Sequence, residues 1–499
     1  MSKFVSFLKT SVVSVGMLTD SYEVFLMNMV SVILSDIYGK TSYSSTLTTT
    51  VLIGMALGQL IFGFLGDAIG RKPMFIVTAI FLIFFSVASA FVFPIIFAAP
   101  YVGLSIIRFF LGLGIGGEYP LSSTITAESS TKSTRGKKMV FIFTMRGIGN
   151  LIAPVVVMVL LYIPMNLDYV WRVAFALGAI PCLLTLYFRF SLDFPNKAHT
   201  TNKQKINLKK VLVHNWKPLL GTAGTWFLFD IAFYGNSMSN ASILQIIGFA
   251  GGESSNAEDQ RASLITNSIG NIILTSVAFP GFIVAYFVIN RINKKWLQMG
   301  GFFGTALCEI FICGDIRGLS FFFQNLGPNT MTYILSTEVY DSKIRATFSG
   351  LSAASGKVGA MIGTAIFNPF AERFGVGNTF YFCAALMIVG IFFTLFIPSK
   401  SSFEDEQNPE EKSLKEKEIE LSGVATPTEM NTETKDYAFS PASPADTLKQ
   451  SSSDVDKIFA PIVRKELITP SPPSDVKAQT KQPLILANCQ TPSSEEEKK

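Results

Sequence analysis

Residues 108–136 read RFFLGLGIGGEYPLSSTITAESSTKSTRG. An apolar helix long enough to cross a bilayer here carries Arg108, a ladder of Gly112, Gly114, Gly116 and Gly117, and then Glu118, before it ends in a basic turn at Lys132 and Arg135. Small residues let a neighbouring backbone approach closely, which is how helices pack where lipid removes the hydrophobic drive between them. An ionised group facing hydrocarbon costs several kcal/mol, so Arg108 and Glu118 must face a protein interior or a wet cavity. That cavity is the first functional expectation.

The rest of the chain agrees with a membrane setting. Of 499 residues 49% are hydrophobic and 15% charged, with a mean hydropathy of +0.40, too apolar for a soluble domain. Apolar runs long enough to span fall near 11–37, 47–66, 74–93, 101–126, 139–163 and 171–190, and, after a polar break, near 216–240, 264–289, 297–314, 318–338, 347–368 and 378–398. The expected fold is an all-α polytopic membrane protein of twelve transmembrane helices. Lys and Arg gather in alternate connections, at Arg71 and Lys72, Lys132 to Lys138, Lys197 to Lys217, Arg291 to Lys295, and Lys343 with Arg345. The positive-inside rule makes these connections and both termini cytosolic, with the plasma membrane as default. Cys182, Cys308, Cys313, Cys383 and Cys489 follow no metal-ligand or disulfide spacing and read as inert. No nucleophile, base and oxyanion set emerges, so neither an enzyme nor a cofactor or metal site is expected, and nothing points to nucleic acid.

The break at 191–215 marks a midpoint across which residues recur at one spacing. Asp20 and Asp230, Tyr119 and Asn329, Glu128 and Glu338, Arg135 and Arg345 all stand 210 positions apart. A duplication explains this: two pseudo-symmetric six-helix bundles, 1–190 and 216–398, joined by a cytosolic loop at 191–215, with a substrate site near the midplane between them. From 399 to 499 the sequence turns to Ser, Thr, Pro, Glu and Lys, the composition of a disordered cytosolic tail. Thr426, Ser440 and Ser443, each before Pro, make the tail a candidate for kinases, and its lysines a candidate for ubiquitin machinery. Asn240-Ala-Ser242 fits the glycosylation pattern but lies close to the bilayer.

GFLGDAIGRK at 63–72 sets Asp67 four residues before Arg71, with Gly66 and Gly70 allowing a tight turn. Such a charged latch can hold the two halves in one state and release them in another. Its second-half counterpart, NRINKK at 290–295, lacks the acid and the glycine, so no matching latch is expected there. Glu128 with Arg135, and Glu338 with Arg345, sit at the cytosolic ends of the fourth and tenth spans, as gates or as anchors of helix ends.

The spacing Gly63-x-Leu65-x-Asp67-x-x-Gly70-Arg71-Lys72 resembles the loop motif of the major facilitator superfamily. GGEYPLSSTITAES at 116–129, GTWFLFDIAFYGNSMSNASILQ at 224–245 and FFFQNLGPNTMTYILSTEVYDSKIRATFSGLSAASGKVGA at 321–360 narrow the resemblance to its phosphate:proton symporters, through roughly 12–398. The resemblance implies a phosphate pocket of Tyr119, Trp226, Asp230, Tyr234 and Asn329 with Lys357 close by, and a proton path through Asp20, Glu23, Glu118 and Asp230. Two positions depart from the pattern. Glu118 replaces the commoner Asp, and Arg146, in TMRGIGN, stands where the family usually has a glutamine in contact with phosphate.

These residue types suit an oxyanion. Tyr, Trp and Asn side chains are neutral donors, and Arg146 and Lys357 add positive charge. A carboxylate among them repels the anion unless it is protonated, which would couple proton uptake to phosphate binding. Arg146 either contacts substrate or neutralises Glu118. The resulting expectation is proton-driven import of inorganic phosphate. Its alternatives are a glycerophosphodiester or other organophosphate, favoured by Arg146, and a phosphate-sensing receptor that signals through the tail.

Overall fold

The structure is a computed structural model of the full chain, and it describes residues 2–39, 46–92, 100–194, 208–238, 257–311, 317–399 and 401–402. The chain divides into two units, Met1–Val424 and Ala425–Lys499, and all the described residues fall in the first. Asn240, Thr426, Ser440, Ser443, Cys313 and Cys489 lie outside them, as does the expected tail beyond Ser402. Ser401 and Ser402, assigned to that tail by composition, are instead bound. Both hydroxyls donate to the Glu338 carbonyl, at 3.2 and 2.9 Å.

Fifteen helices make up the described residues: α1 Ser2–Tyr38, α2 Thr46–Ala68, α3 Arg71–Ala90, α4 Tyr101–Glu128, α5 Lys132–Tyr162, α6 Leu167–Ser191, α7 Leu208–His214, α8 Trp216–Met238, α9 Ala257–Ala278, α10 Pro280–Val288, α11 Lys294–Phe311, α12 Arg317–Leu326, α13 Pro328–Glu338, α14 Arg345–Phe374 and α15 Val376–Thr394. The sequence reading treats 191–215 as loop throughout, whereas α7 forms a two-turn helix within it. Eight spans are long and apolar enough to cross a membrane on those grounds alone: α1 to α6, α9 continued by α10, and α15. The other four are α8, α11, α12 with α13, and α14. Three of these, α8, α11 and α14, bury charged residues, among them Asp230, Glu309 and Lys357, that lower their hydropathy, and α12 and α13 are short because a break divides their span.

Two expected spans are broken. Pro280 opens α10 one residue after α9 ends, and Gly327-Pro328 separates α12 from α13. Proline has no amide to donate, so the helical hydrogen-bond pattern is interrupted at both places. The freed carbonyls find side-chain partners: Asn325 Nδ2 donates to Ala278 O at 3.0 Å, and Thr330 Oγ1 to Asn325 O at 2.5 Å. The two breaks are thereby tied to each other in the middle of the bundle.

The glycine ladder acts as the sequence suggests. A methyl group at Gly112 would press on the Val51 carbonyl of α2, and one at Gly54 on the Phe109 carbonyl of α4, so these helices touch backbone to backbone. The repeat shows itself the same way. A Cβ at Gly149 of α5 would meet Leu18 O of α1, and one at Gly359, 210 positions later on α14, would meet Phe227 O of α8. The pairs α1 with α5 and α8 with α14 are thus copies of one packing unit. Large apolar side chains such as Phe84, Leu184, Tyr187, Phe287 and Phe392 point outward on the peripheral helices, as a lipid-facing surface requires.

Candidate functional site

The site is built where the duplicated helix pairs face each other. Trp226, Asp230 and Tyr234 recur at one-turn intervals on α8 and are all buried. Lys357 of α14 closes on them: its Nζ lies 2.7 Å from Asp230 Oδ2 and 3.0 Å from the Tyr234 hydroxyl. From the opposite half, Arg146 of α5 donates from Nη2 to the same hydroxyl at 2.8 Å. Tyr234 therefore bridges two cations, one from each half. Arg146 is also packed among rings, with its guanidinium carbon 5.5 Å from the Tyr119 and Phe143 centroids and 5.8 Å from that of Phe233. Aromatic faces favour a cation at this range. Tyr119 in turn leans on Trp226, ring centroids 6.4 Å apart.

Arg146 does not neutralise Glu118, one of the two roles the sequence leaves open. Glu118 belongs to Arg189, at the last turn of α6, with Nη1 2.6 Å from Oε1 and Nη2 3.1 Å from Oε2, and it accepts Thr78 Oγ1 at 2.5 Å. Glu23 is likewise taken by Arg108, 2.5 Å away, and by Ser86. The two charges that opened the sequence reading, Arg108 and Glu118, thus belong to separate buried pairs. Asp20 differs from both acids, because neither of its oxygens has a hydrogen-bond partner among the described residues. Glu118, Arg189, Arg146 and Glu23 all lie within its electrostatic reach.

Next to Arg146 lies a small cleft of about 40 Å³. Asn28, Asn150, Ser237, Asn325 and Asn329 supply its polar wall, and Phe25, Phe233, Phe279, Phe282 and Phe321 its apolar wall. Both helix breaks open onto it. Arg146 Nη1 has no hydrogen-bond partner among the described residues, and neither does Asp230 Oδ1. Arg146 and Asn329 thus line the cavity itself, Asn329 held by Asn325 Oδ1 at 2.8 Å, while Tyr234, Lys357, Asp230, Tyr119 and Trp226 form the layer behind the guanidinium. Sequence reasoning named Asn329 but missed Arg189, the other cavity asparagines Asn28, Asn150 and Asn325, and both breaks. The prolines inside apolar runs at 280 and 328 were the available signal for the breaks, whereas the asparagines leave no trace without a fold to say which face is inward.

Both ends of the interface are closed. On the basic face, Asp67 of α2 accepts from the Thr347 amide and hydroxyl, each at 2.7 Å, and from the Ala346 amide at 3.3 Å, so it occupies the N-terminus of α14 in the other half. A carboxylate there satisfies free amides and the positive end of the helix dipole. Arg71 lies 2.9 Å from Asp67, 3.2 Å from Glu128 and 2.8 Å from Ser342 O, while Arg345 reaches Glu128 at 3.3 Å. Glu128 therefore links the halves. Arg135 donates to Ala127 O at 3.2 Å, and Glu338 is held by Lys294 at 2.6 Å. The loop at 290–295 does bridge, without an acid, through Asn290 Nδ2 to Ser133 O at 2.8 Å.

The opposite face is held by a residue the sequence did not single out. Arg261 of α9 donates to Leu161 O at 2.5 Å, Ile163 O at 3.0 Å and Met165 O at 2.5 Å, which satisfies the carbonyls left free where α5 ends. Arg261→Ala removes this clasp. A membrane-impermeant thiol reagent is expected to label a Ser237→Cys probe in the cavity wall at least fivefold faster in that background, and equal rates would show that the clasp does not hold this end shut.

A bundle of broken and continuous helices around a polar, ion-paired cavity, clasped at both ends, defines a membrane protein built to enclose a small polar ligand. Residues 12–315 match the Major Facilitator Superfamily, and residues 259–403 the group described as Sugar (and other) transporter. The chain is 30% identical over 486 residues to a probable inorganic phosphate transporter of Arabidopsis thaliana, covering 81% of this chain and 93% of that one. It is 29% identical to a putative inorganic phosphate transporter of Schizosaccharomyces pombe, covering 77% and 84%. The proton:xylose symporter XylE shares the fold, with a TM-score of 0.64 at 18% identity over 80% of this chain and 98% of that one. The chain belongs to the major facilitator superfamily.

Proposed function

We propose that the protein is a secondary transporter that carries inorganic phosphate together with protons by alternating access, from the plasma membrane, with both termini cytosolic. The observation that carries this reading is the chain Asp230, Lys357, Tyr234, Arg146 at the edge of the cleft between the halves. An oxyanion entering beside Arg146 competes for the two cations that Tyr234 bridges. When Lys357 turns from Asp230 toward the anion, the carboxylate is left buried and unpaired, a change that costs about 3–5 kcal/mol when a buried pair is broken. Taking up a proton relieves that cost, so anion and proton binding favour each other, and by linkage to the same degree. Asp20, an acid without a hydrogen-bond partner within reach of Arg146, is the proposed relay toward Glu118 and Glu23. Tyr119, Trp226 and Asn329 would position the substrate. Asp67, Arg71, Glu128, Arg135, Glu338 and Arg345 would form the gate that parts on the cytosolic side, between bundles we place at 1–190 and 216–398. The transporter names of the relatives at about 30% identity point the same way, and no enzymatic role is proposed.

Uptake into proteoliposomes under an inward pH gradient tests the reading. Labelled phosphate should accumulate, and a protonophore should abolish accumulation; uptake indifferent to both would end the proposal. One observation favours a second cargo. The cleft beside Arg146 has amide and aromatic walls, which suit the organic part of a glycerophosphodiester. Arg146→Gln separates the two: if phosphate is the cargo the variant retains most phosphate uptake, whereas for an ester the variant loses its transport at least tenfold. A receptor role through the tail would leave proteoliposomes without any phosphate counterflow.

A further inference from the structure

A second cleft, of about 780 Å³, opens on the basic face, between the start of α1, the turn from α4 to α5, the first turns of α5, and α10. It is separate from the cavity described above and shares no residue with it. Lys137 and Lys138 stand on its α5 wall, hydroxyls of Ser6, Thr10 and Thr134 surround them, and no lining residue is acidic. Lys138 Nζ donates to Ser6 Oγ at 2.8 Å, which fixes the α1 wall against α5. Lys137 is exposed, with its ammonium 5.6 Å from the Tyr286 ring centroid, free to turn toward an anion. Ser129, Thr131 and Ser133 add further hydroxyls, and Phe7 and Phe141 supply apolar wall.

The depth of the cleft in the membrane follows from the length of α1. A helix of 37 residues is about 55 Å long at about 1.5 Å per residue, against about 30 Å for a hydrocarbon core. Because Lys138, at the basic start of α5, meets Ser6, the excess falls at this end, and the first turns of α1 stand at the headgroup level, where Phe4 and Phe7 remain exposed. Cations and hydroxyls at headgroup depth, beside the rings of Phe7, Phe141 and Tyr286 in the same cleft, match a ligand with a charged phosphate at one end and acyl chains at the other. We propose that this cleft binds the phosphorylated headgroup of an anionic lipid of the leaflet on the basic face. Its position gives the occupant leverage. Ser133, also in the cleft wall, carries the carbonyl that Asn290 reaches, so the lipid would sit on the seam between α5 and α10, which has to part when that face opens.

The purified full chain in detergent tests this by thermal unfolding. Dioctanoyl phosphatidylinositol 4-phosphate should raise the unfolding temperature saturably, and dioctanoyl phosphatidylcholine should not. In Lys137→Ala/Lys138→Ala the half-saturating concentration should rise at least tenfold, whereas Lys137→Arg/Lys138→Arg should keep the response. If the double alanine variant does not fold, Lys137→Gln alone, at an exposed position, should weaken the response about threefold. An unchanged response in the alanine or glutamine variant, or none in the wild type, overturns the proposal. Inorganic phosphate giving the same lysine-dependent shift without lipid overturns the lipid assignment and leaves a free-anion site.

Discussion

In Asp230→Asn, phosphate accumulation driven by a pH gradient is expected to vanish while exchange of phosphate across the same membrane persists within about tenfold of wild type. An inward gradient of one unit supplies about 1.4 kcal/mol per proton carried, enough for about tenfold accumulation in wild type and none in the variant. The amide keeps the shape of the carboxylate and can still face Lys357, now at 2.7 Å from Oδ2, but it has no proton to gain or lose. Lys357 then no longer has to leave a carboxylate to meet the anion, so binding survives and its link to protons does not. Simultaneous loss of accumulation and exchange would assign Asp230 to holding the site together, and unimpaired accumulation would remove it from coupling altogether.

The second large effect concerns stability. Arg189→Leu strands Glu118 in an interior where both partners are fully buried, and breaking a buried pair by removing one member costs about 3–5 kcal/mol. Asp20 lies close enough to make the stranded charge worse. Urea or thermal unfolding in detergent should register that loss. Replacing both members, Glu118→Leu/Arg189→Leu, should recover most of it, because two well-packed apolar residues leave no charge unpaired. If the single variant is as stable as wild type, the pair does not hold α4 against α6 in the way the distances imply. If the double variant is as unstable as the single, the loss comes from packing around Arg189, whose guanidinium carbon lies 3.8 Å from the Phe75 ring centroid.

Both expectations turn on the same physical circumstance, that charge inside a bilayer has to be partnered. Along α1, Glu23 is taken by Arg108, and Asp20 is left with Arg146 and Arg189 only at electrostatic range. Of the buried acids Asp20, Glu23 and Glu118, Asp20 is the one whose oxygens have no hydrogen-bond partner among the described residues, and it lies within electrostatic reach of both Arg146 and the Glu118–Arg189 pair. That placement makes it the natural carrier in the proposed proton path.

The sequence by itself determined that this chain spans a membrane, that its halves repeat, and which acids, cations and aromatic residues are too expensive or too regularly spaced to be lipid-facing filler. Hydropathy, the 210-residue spacing and the one-turn spacing of Trp226, Asp230 and Tyr234 are local or periodic properties, and local properties can be read from a string. Partnership is not among them. That Arg146 of the fifth span meets Tyr234 of the seventh, that Glu118 goes to Arg189, that Glu128 links Arg71 to Arg345, and that Arg261 clasps the end of α5 depend on which helices lie side by side. The two prolines show the boundary most clearly: the sequence displayed them inside apolar runs, but only with the helices assembled do the breaks at Pro280 and Pro328 face one cavity, with Asn325 at the second satisfying the Ala278 carbonyl at the first. In a bilayer no water is at hand to satisfy those groups, so packing alone decides where a helix can stop.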